Sequence, residues 1–298
     1  MWRWLAALAL DLMWGEPPLW AHPVVLVGRV IAALERVAPS SPRAALMHGA
    51  LLVALPAAGA ALAGATAARP RPSLLRACFA VWLLKTTFAL RDLDRAALRV
   101  ERALRDHDVD QARNELRSLV SRQTADLDEQ LVASAAIESV AENLCDSYVA
   151  PLFWYRLGGL PAALAYRVVN TADAMVGYRG RYEFLGKVAA RLDDLLNYVP
   201  ARLSAIALAS AAPLVRARST TALTGGAREH ARTASPNAGW PMATAAAALA
   251  VRLEKSGHYR FGSGDLPTVE DVGRARLLLY GAAFVTTLVG LGLDGRDG

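Results

Sequence analysis

The chain has 298 residues, of which 54% are hydrophobic, and its 33 Lys and Arg outnumber its 27 Asp and Glu for a formal net charge of +6. Its mean hydropathy of +0.25 exceeds that of an ordinary soluble domain. A basic balance suits nucleic acid, anionic lipid or an anionic substrate, but no basic–aromatic nucleic-acid motif occurs, which excludes nucleic acid as the expected partner.

Alanine and leucine dominate, and both favour helix. The expected fold is all-α: a polytopic integral membrane protein, residues 1–298 forming one domain, with polar helices packed at one membrane face. Residues 1–15 are apolar but interrupted by Asp11, with no clean cleavage site after them, so they read as a retained segment. Trp2, Trp4, Trp14 and Trp20 cluster there as interfacial anchors do. Residues 44–68 contain no Asp, Glu, Lys or Arg and exceed the roughly 20 residues that span a bilayer. Residues 74–90 are a second expected span, interrupted by Arg76 and Lys85, with 69–73 as a hairpin tip. Residues 91–146 are charged, free of Gly and Pro, and periodic at Leu93, Ala97, Val100 and Leu104, the spacing of a helix face. Asp108 is placed to cap a helix running to Arg122, and the 124–128 stretch to cap one from Glu129. Residues 147–166 and 203–215 are apolar but weaker, as partly buried or re-entrant helices. Residues 277–293 form a third span, and 294–298 a frayed tail. Arg29, Arg36 and Arg43 on the side of the polar segment favour a cytoplasmic face, while Arg69 and Arg71 at the hairpin tip argue the other way. Cys78 and Cys145 form no CxxC pair, and no disulfide framework is expected.

Several groups carry chemistry. Glu138, Glu142 and Asp146 stand at i, i+4 and i+8, a drift of only about 40° per step on a helix. Like charges so spaced repel, and no Lys or Arg lies within that helix. The stripe, with Asn143 beside it, suits a hard cation such as Mg²⁺; the competing reading is a solvated acidic face. Asn170, Asp173 and Gly177 share a face of a later helix, where Asn and Asp are poor helix formers; they read as a ligand-binding element or as a cap. The basic turn at 178–183 is suited to phosphate or carboxylate. Asp193, Asp194 and Asn197 form a third acid-and-amide group, with Arg191 as a possible counter-ion in a salt-bridged surface. His22, in the Pro-rich loop after Asp11, is either a proton carrier or a turn residue. Ser235 and Asn237 lie in a loop dense in turn-formers that follows Arg228, His230 and Arg232, a setting for gripping an anion or for an ordinary tight turn. There is no GxxxxGK[ST], GxGxxG, GxSxG or HExxH, so nucleotide chemistry would rest on carboxylate-held metal and Arg.

Taken in order, these motifs resemble one family. They are Asp11 with Gly15-Glu16-Pro17 and His22-Pro23, and Ser121-Arg122-Gln123-Thr124 running to Asp128. Ile137-Glu138-Ser139-Val140-Ala141-Glu142-Asn143 and Ala150-Pro151-Leu152-Phe153-Trp154 follow. Next come Tyr166-Arg167-Val168-Val169-Asn170-Thr171 and Asp173-Ala174-Met175-Val176-Gly177-Tyr178. Arg191-Leu192-Asp193-Asp194 with Pro200-Ala201-Arg202, and Ser235-Pro236-Asn237-Ala238-Gly239-Trp240-Pro241, complete the set. The family is that of the cobalamin-biosynthesis membrane protein CobD or CbiB, adenosylcobinamide-phosphate synthase, and the resemblance runs from about residue 5 to about residue 290.

The resemblance implies a ligase that joins the propionate carboxylate of adenosylcobyric acid to the amine of aminopropanol or its O-phosphate. ATP and Mg²⁺ would drive it, in the inner or plasma membrane. Two departures stand out: Gly15-Glu16-Pro17 replaces the usual Gly-Asp-Pro, and Gln123 stands where Asp is commoner, which removes position 123 from the catalytic candidates. On this reading Glu138, Glu142, Asp146 and Asp173 hold Mg²⁺–ATP, with Asn143 and Asn170 orienting it. Arg122, Arg167, Arg191 and Arg202 face phosphate or carboxylate charge, and Ser235 and Asn237 contact phosphate or corrin amides. Asp193 or Asp194 is the base, with His22 the alternative. Expected partners are the corrinoid, the aminopropanol (phosphate), the lipid bilayer, and a further copy of the chain or other cobalamin-assembly proteins. The competing function is a non-catalytic membrane scaffold or a transporter subunit of the corrinoid pathway. A transporter would carry acids inside its longest spans, and 44–68 has only His48.

Overall fold

The computed structural model describes residues 1–69 and 74–292; most of the expected hairpin tip at 69–73, residue 293 and the tail at 294–298 lie outside them. Helix dominates, as expected, and the chain divides into two compact units, each built from two stretches of sequence.

Unit 1 comprises 1–89 and 150–197. Numbered in chain order, its helices are α1 (Trp2–Trp14), α2 (Pro23–Arg36), α3 (Pro42–Ala68), α4 (Leu74–Lys85), α8 (Ala150–Val176) and α9 (Lys187–Leu196). Pro23 and Pro42 open their helices at the first-turn position, where the missing N–H costs nothing. α3 has 27 residues and is long and apolar enough to cross a membrane. α4 does not match the expected span over 74–90: it has 12 residues, about 18 Å at the helical rise, against a hydrocarbon core of about 30 Å. It stops at Lys85, whose ammonium is drawn into ion pairs, and Thr86 and Thr87 turn their hydroxyls back onto Leu83 and Leu84 carbonyls. α8 kinks at Gly158 and Gly159, the latter at φ 64°, a left-handed conformation that glycine adopts without steric penalty.

Ile31, Leu52, Val53, Val169, Ala172, Val176, Leu185 and Ala189 form the core of this unit. Gly49 permits the close approach, since a Cβ there would run into the Leu185 carbonyl. Gly49→Ala should therefore destabilise the protein by about 1–3 kcal/mol, the cost of overpacking, read as a lowered melting midpoint in detergent. Trp4 departs from its expected interfacial role. It is fully buried, with its ring 4.5 Å from Phe88 and 5.9 Å from Tyr155, whereas Trp2, Trp14 and Trp20 are exposed.

Unit 2 comprises 90–149 and 198–298. It contains α5 (Leu90–Arg105), α6 (Val109–Leu116), α7 (Glu129–Leu144), α10 (Tyr198–Ala211), α11 (Ser219–Glu229), α12 (Gly239–Leu249) and α13 (Val269–Gly292). Both expected caps are present: Asp108 accepts from Gln111 N, and Asp128 from Leu131 N, each at 2.8 Å. α6 ends at Leu116 rather than Arg122. α7 is buried on nearly all sides, as a helix at the centre of a core must be; α5, α6, α12 and α13 pack on it. Tyr198–Val215 and Val269–Gly292 are, with α3, the segments among the described residues long and apolar enough to span a bilayer. α13 begins well before the expected residue 277 because Arg276 is neutralised. Its guanidinium forks onto both Asp94 oxygens at 2.7 and 3.1 Å and donates to Glu101 at 2.8 Å, the bidentate geometry that Arg favours.

Two features lacked any signal in the sequence reading. A short antiparallel hairpin, β1 (Leu253–Lys255) and β2 (Tyr259–Phe261), interrupts the helical fold. After α7, Cys145–Val149 form one π-helical turn, a form found mostly as single turns and frequently at functional sites.

Candidate functional site

Four polar clusters gather the sequence candidates, two in unit 1 and two in unit 2. In unit 1, α8 presents Arg167 and Asn170, and α9 presents Asp193. Arg167 Nη1 donates to Asn170 Oδ1 at 3.2 Å, and Asn170 Nδ2 donates to Asp193 Oδ1 at 3.2 Å. The other Asp193 oxygen accepts from Asn197 Nδ2 at 3.0 Å, and Tyr166 OH donates to Asn197 Oδ1 at 3.0 Å. Three predicted residues thus meet, joined by Tyr166 and Asn197. The apolar face of α9 turns this cluster inward, and burial pushes the Asp193 carboxyl above the ordinary aspartate range despite the two amide donors. Such a carboxylate is better matched to proton transfer near neutral pH than a free one. Asp194 is also raised by burial, against the opposing charge of Arg191. Asp173 lies one turn beyond Asn170 on α8, where its backbone carbonyl accepts from Gly177 N at 2.7 Å.

A second network in unit 1 surrounds Glu16. His22 caps α2, its Nδ1 accepting from Val24 N at 3.1 Å, while its Nε2 meets Glu16. Both ring nitrogens are engaged, so His22 holds Glu16 and has no lone pair left to take a substrate proton in this arrangement. Lys85 also pairs with Glu16, and lies 3.1 Å from Asp11. Asp11 and Lys85 are almost completely buried. Burial would push the Glu16 carboxyl up, but the His22 hydrogen bond and the Lys85 charge outweigh it and hold Glu16 below the usual range. Glu16 therefore remains a charged anchor. Lys85 carried a signal in the sequence, as a lone Lys in an apolar helix; its partners did not.

In unit 2 the acidic stripe is not one solvated face. Glu138 is 4% exposed and accepts from Ser134 Oγ at 2.8 Å, Tyr259 OH at 2.7 Å and Arg122 Nη2 at 3.3 Å. Tyr259 arrives from β2, more than a hundred positions along the chain; the turn Gly257-His258-Tyr259 resembles the family's Tyr-Gly turn in sequence, but nothing local pairs it with Glu138. Its phenol is pushed up by burial and by the Glu138 charge. Asp146 falls in the π-helical turn, where i→i+5 bonding breaks the register that would have continued Glu138 and Glu142 as an α-helical stripe. Asn143 donates to Ser139 on its own helix at 3.0 and 3.1 Å. Among the described residues no three His, Cys, Asp or Glu side chains gather to hold a metal. The structure instead shows a pocket of about 140 Å³ bordered by Ser121, Arg122, Glu138, Glu142, Lys255 and Tyr259. Mg²⁺ commonly takes one or two carboxylates and completes its shell with water and substrate phosphates, and this mixture of acids with Arg122 and Lys255 fits that mode.

The fourth cluster joins Arg202 to Asn237, with Nη1 2.9 Å from Oδ1. The guanidinium lies 3.7 Å from the Tyr198 ring centroid and 5.1 Å from that of Trp240, and His230 stacks on Trp240 at 4.0 Å. Ser235 Oγ accepts from the N–H groups of Asn237 and Ala238, so it shapes the loop ahead of α12. Arg232 is turned to Glu229 and the Arg260 carbonyl. The basic turn at 178–183 is tied to α2, where Tyr182 OH and Arg181 both donate to Glu35.

Comparison with known proteins agrees with the ordered motifs. Residues 4–278 match the family model described as CobD/Cbib protein. The cobalamin biosynthesis protein CobD of Dehalococcoides mccartyi is 41% identical over 97% of this chain and 96% of its own length. That of Klebsiella pneumoniae is 37% identical over 97% and 96%, and the cobalamin biosynthesis protein CbiB of Salmonella choleraesuis is 39% identical over 91% and 87%. No solved structure matches the chain. A match over nearly the whole length, with relatives at this identity, means that the chain belongs to the CobD/CbiB family.

Proposed function

We propose that this protein acts in cobalamin biosynthesis as a multi-pass membrane ligase. It would form the amide between a propionate carboxylate of adenosylcobyric acid and the amine of aminopropanol or its O-phosphate, at the expense of ATP. Family membership supports the pathway, and the three long apolar segments support the membrane setting. The observation that carries the chemistry is the Arg167–Asn170–Asp193–Asn197 network, a buried, raised carboxylate held by two amides. An amine enters as an ammonium and must lose a proton before it can attack a carbonyl; on this reading Asp193 accepts that proton. In unit 2, Glu142 would hold Mg²⁺ with substrate phosphates, and Arg122 and Lys255 would balance phosphate charge, with Glu138 fixing Arg122. When bound, the metal–nucleotide supplies activation of the carboxylate by phosphoryl transfer. A cytoplasmic active face is part of the proposal, since ATP is found there.

The test is direct. The detergent-purified chain is incubated with adenosylcobyric acid, Mg–ATP and either amine, and the corrinoid is followed by mass spectrometry. A mass gain equal to the amide, requiring ATP, is expected. Glu142→Ala should abolish turnover without lowering expression, and near-normal turnover in that variant would remove Glu142 from the metal assignment. A folded, corrinoid-binding sample that forms no product would mean that the chain is a scaffold for a partner ligase.

A further inference from the structure

Unit 1 contains a groove of about 570 Å³, within the size range of ligand sites, whose walls are chemically unlike a site for polar substrates. Trp20, Val27, Phe79, Trp82 and Leu164 supply apolar wall, and α3 contributes a stripe from Pro56 through Gly59 and Ala60 to Ala63. α3 is one of the helices long and apolar enough to span a bilayer. Trp20 and Leu26, which border the groove, are 83% and 62% exposed, so hydrocarbon surface continues outward from it. Gly59 leaves a gap in the wall, with no atom within 4 Å of where its Cβ would be.

The same lining includes two guanidiniums, Arg29 and Arg167. Arg29 is exposed, and Arg167 keeps a buried Nε with no acceptor. Among the described residues neither has a carboxylate at ion-pair distance, although more distant Asp193 feels the Arg167 charge. Two cations without ion pairs in a groove walled mainly by apolar side chains, with His22, Thr86 and Thr171 as its other polar residues, call for a ligand that is anionic at one point and hydrocarbon elsewhere. Basic pockets beside transmembrane helices bind anionic lipid headgroups for this reason.

We propose that the groove binds one anionic phospholipid, an acyl chain lying along α3 and the headgroup phosphate meeting Arg29 and Arg167. The proposal rests on the membrane reading above. It ties a lipid to Arg167, and so to the helix that carries the Asp193 network.

The test uses the full chain in phosphatidylcholine vesicles doped with phosphatidylglycerol or phosphatidylcholine carrying brominated acyl chains, with tryptophan quenching as the readout. Brominated phosphatidylglycerol should quench more strongly than brominated phosphatidylcholine. That excess should be lost in the Trp20→Phe/Trp82→Phe double variant, which removes both tryptophans lining the groove, and in Gly59→Phe, which fills the groove where there is room. Arg29→Gln and Arg167→Gln should each weaken the preference roughly fivefold, the worth of one guanidinium at an anionic surface. Equal quenching by the two lipids, or an excess that survives Gly59→Phe or the paired arginine variant, overturns the proposal. So does loss of the excess on adding inorganic phosphate alone, since the site would then take a free anion. A chain that fails to stay with the vesicles overturns the membrane reading and the lipid site together, whereas insertion without the excess overturns only the lipid site.

Discussion

Asp193→Asn is expected to lower the rate of amide formation by about 10²–10⁴-fold, the usual contribution of a positioned general base, with little loss of folded protein. Asparagine keeps the shape and can still accept from Asn170 or Asn197, but it cannot take a proton. The pH profile separates this role from a merely structural one. Burial raises the Asp193 carboxyl, so the protonated, inactive form persists above the ordinary aspartate range. Activity should therefore rise with pH along a limb displaced upward from the value of a free Asp, and that limb should be absent from the residual activity of the variant. An unchanged limb in Asp193→Asn would assign the base elsewhere, with Asp194, also raised by burial, next in line. The stability sign is opposite to the activity sign. The native state binds the proton of Asp193 more tightly than the unfolded chain does, so this group's contribution to stability declines as pH rises through its native pKa.

Lys85→Met should cost about 3–5 kcal/mol, because removing one partner of a buried ion pair leaves the others uncompensated. Lys85 is 3% and Asp11 0% exposed, so water cannot replace the ammonium. Thermal or denaturant unfolding in detergent would measure the loss. Adding Glu16→Gln to Lys85→Met should restore part of it, since buried ion pairs replaced as sets are often tolerated. A double variant less stable than Lys85→Met alone would contradict the network. Glu16 also gives a pH signature. Its carboxyl is held low in the native state, so its contribution is present above the unfolded pKa and is lost as pH falls through the native one. Acid unfolding should accordingly be less steep in Glu16→Gln.

Much of this was legible from residue spacing. α3 is visible because residues 44–68 carry no Asp, Glu, Lys or Arg, and the starts of α6 and α7 are visible because Asp108 and Asp128 are local signals. Arg167 and Asn170 stood out as polar groups on an otherwise apolar helix, and Asp193 as part of an acid-and-amide group beside an apolar segment; burial is what makes such residues costly and hence informative. What escaped depends on distance in the chain. Tyr259 completes the Glu138 cluster across 121 positions, and the hairpin that delivers it is two three-residue strands, too short for alternation to register. The π-helical turn that takes in Asp146 has no spacing signature of its own, so the sequence read the stripe as one continuous α-helix. α4 was overextended because hydropathy treats Lys85 as an interruption, whereas Asp11 and Glu16 make it an end.

The order in which the two units use the chain has a consequence for synthesis. Residues 1–89 await 150–197, and residues 90–149 await those from 198 onward. Translation therefore releases a half of each unit before finishing either, and a nascent chain cut at residue 149 would contain two incomplete cores. Expression of any contiguous half should give aggregation-prone or degraded material. The apolar faces of unit 1 thus stay uncovered until residue 197 is made, and those of unit 2 until the segment from 198 onward follows.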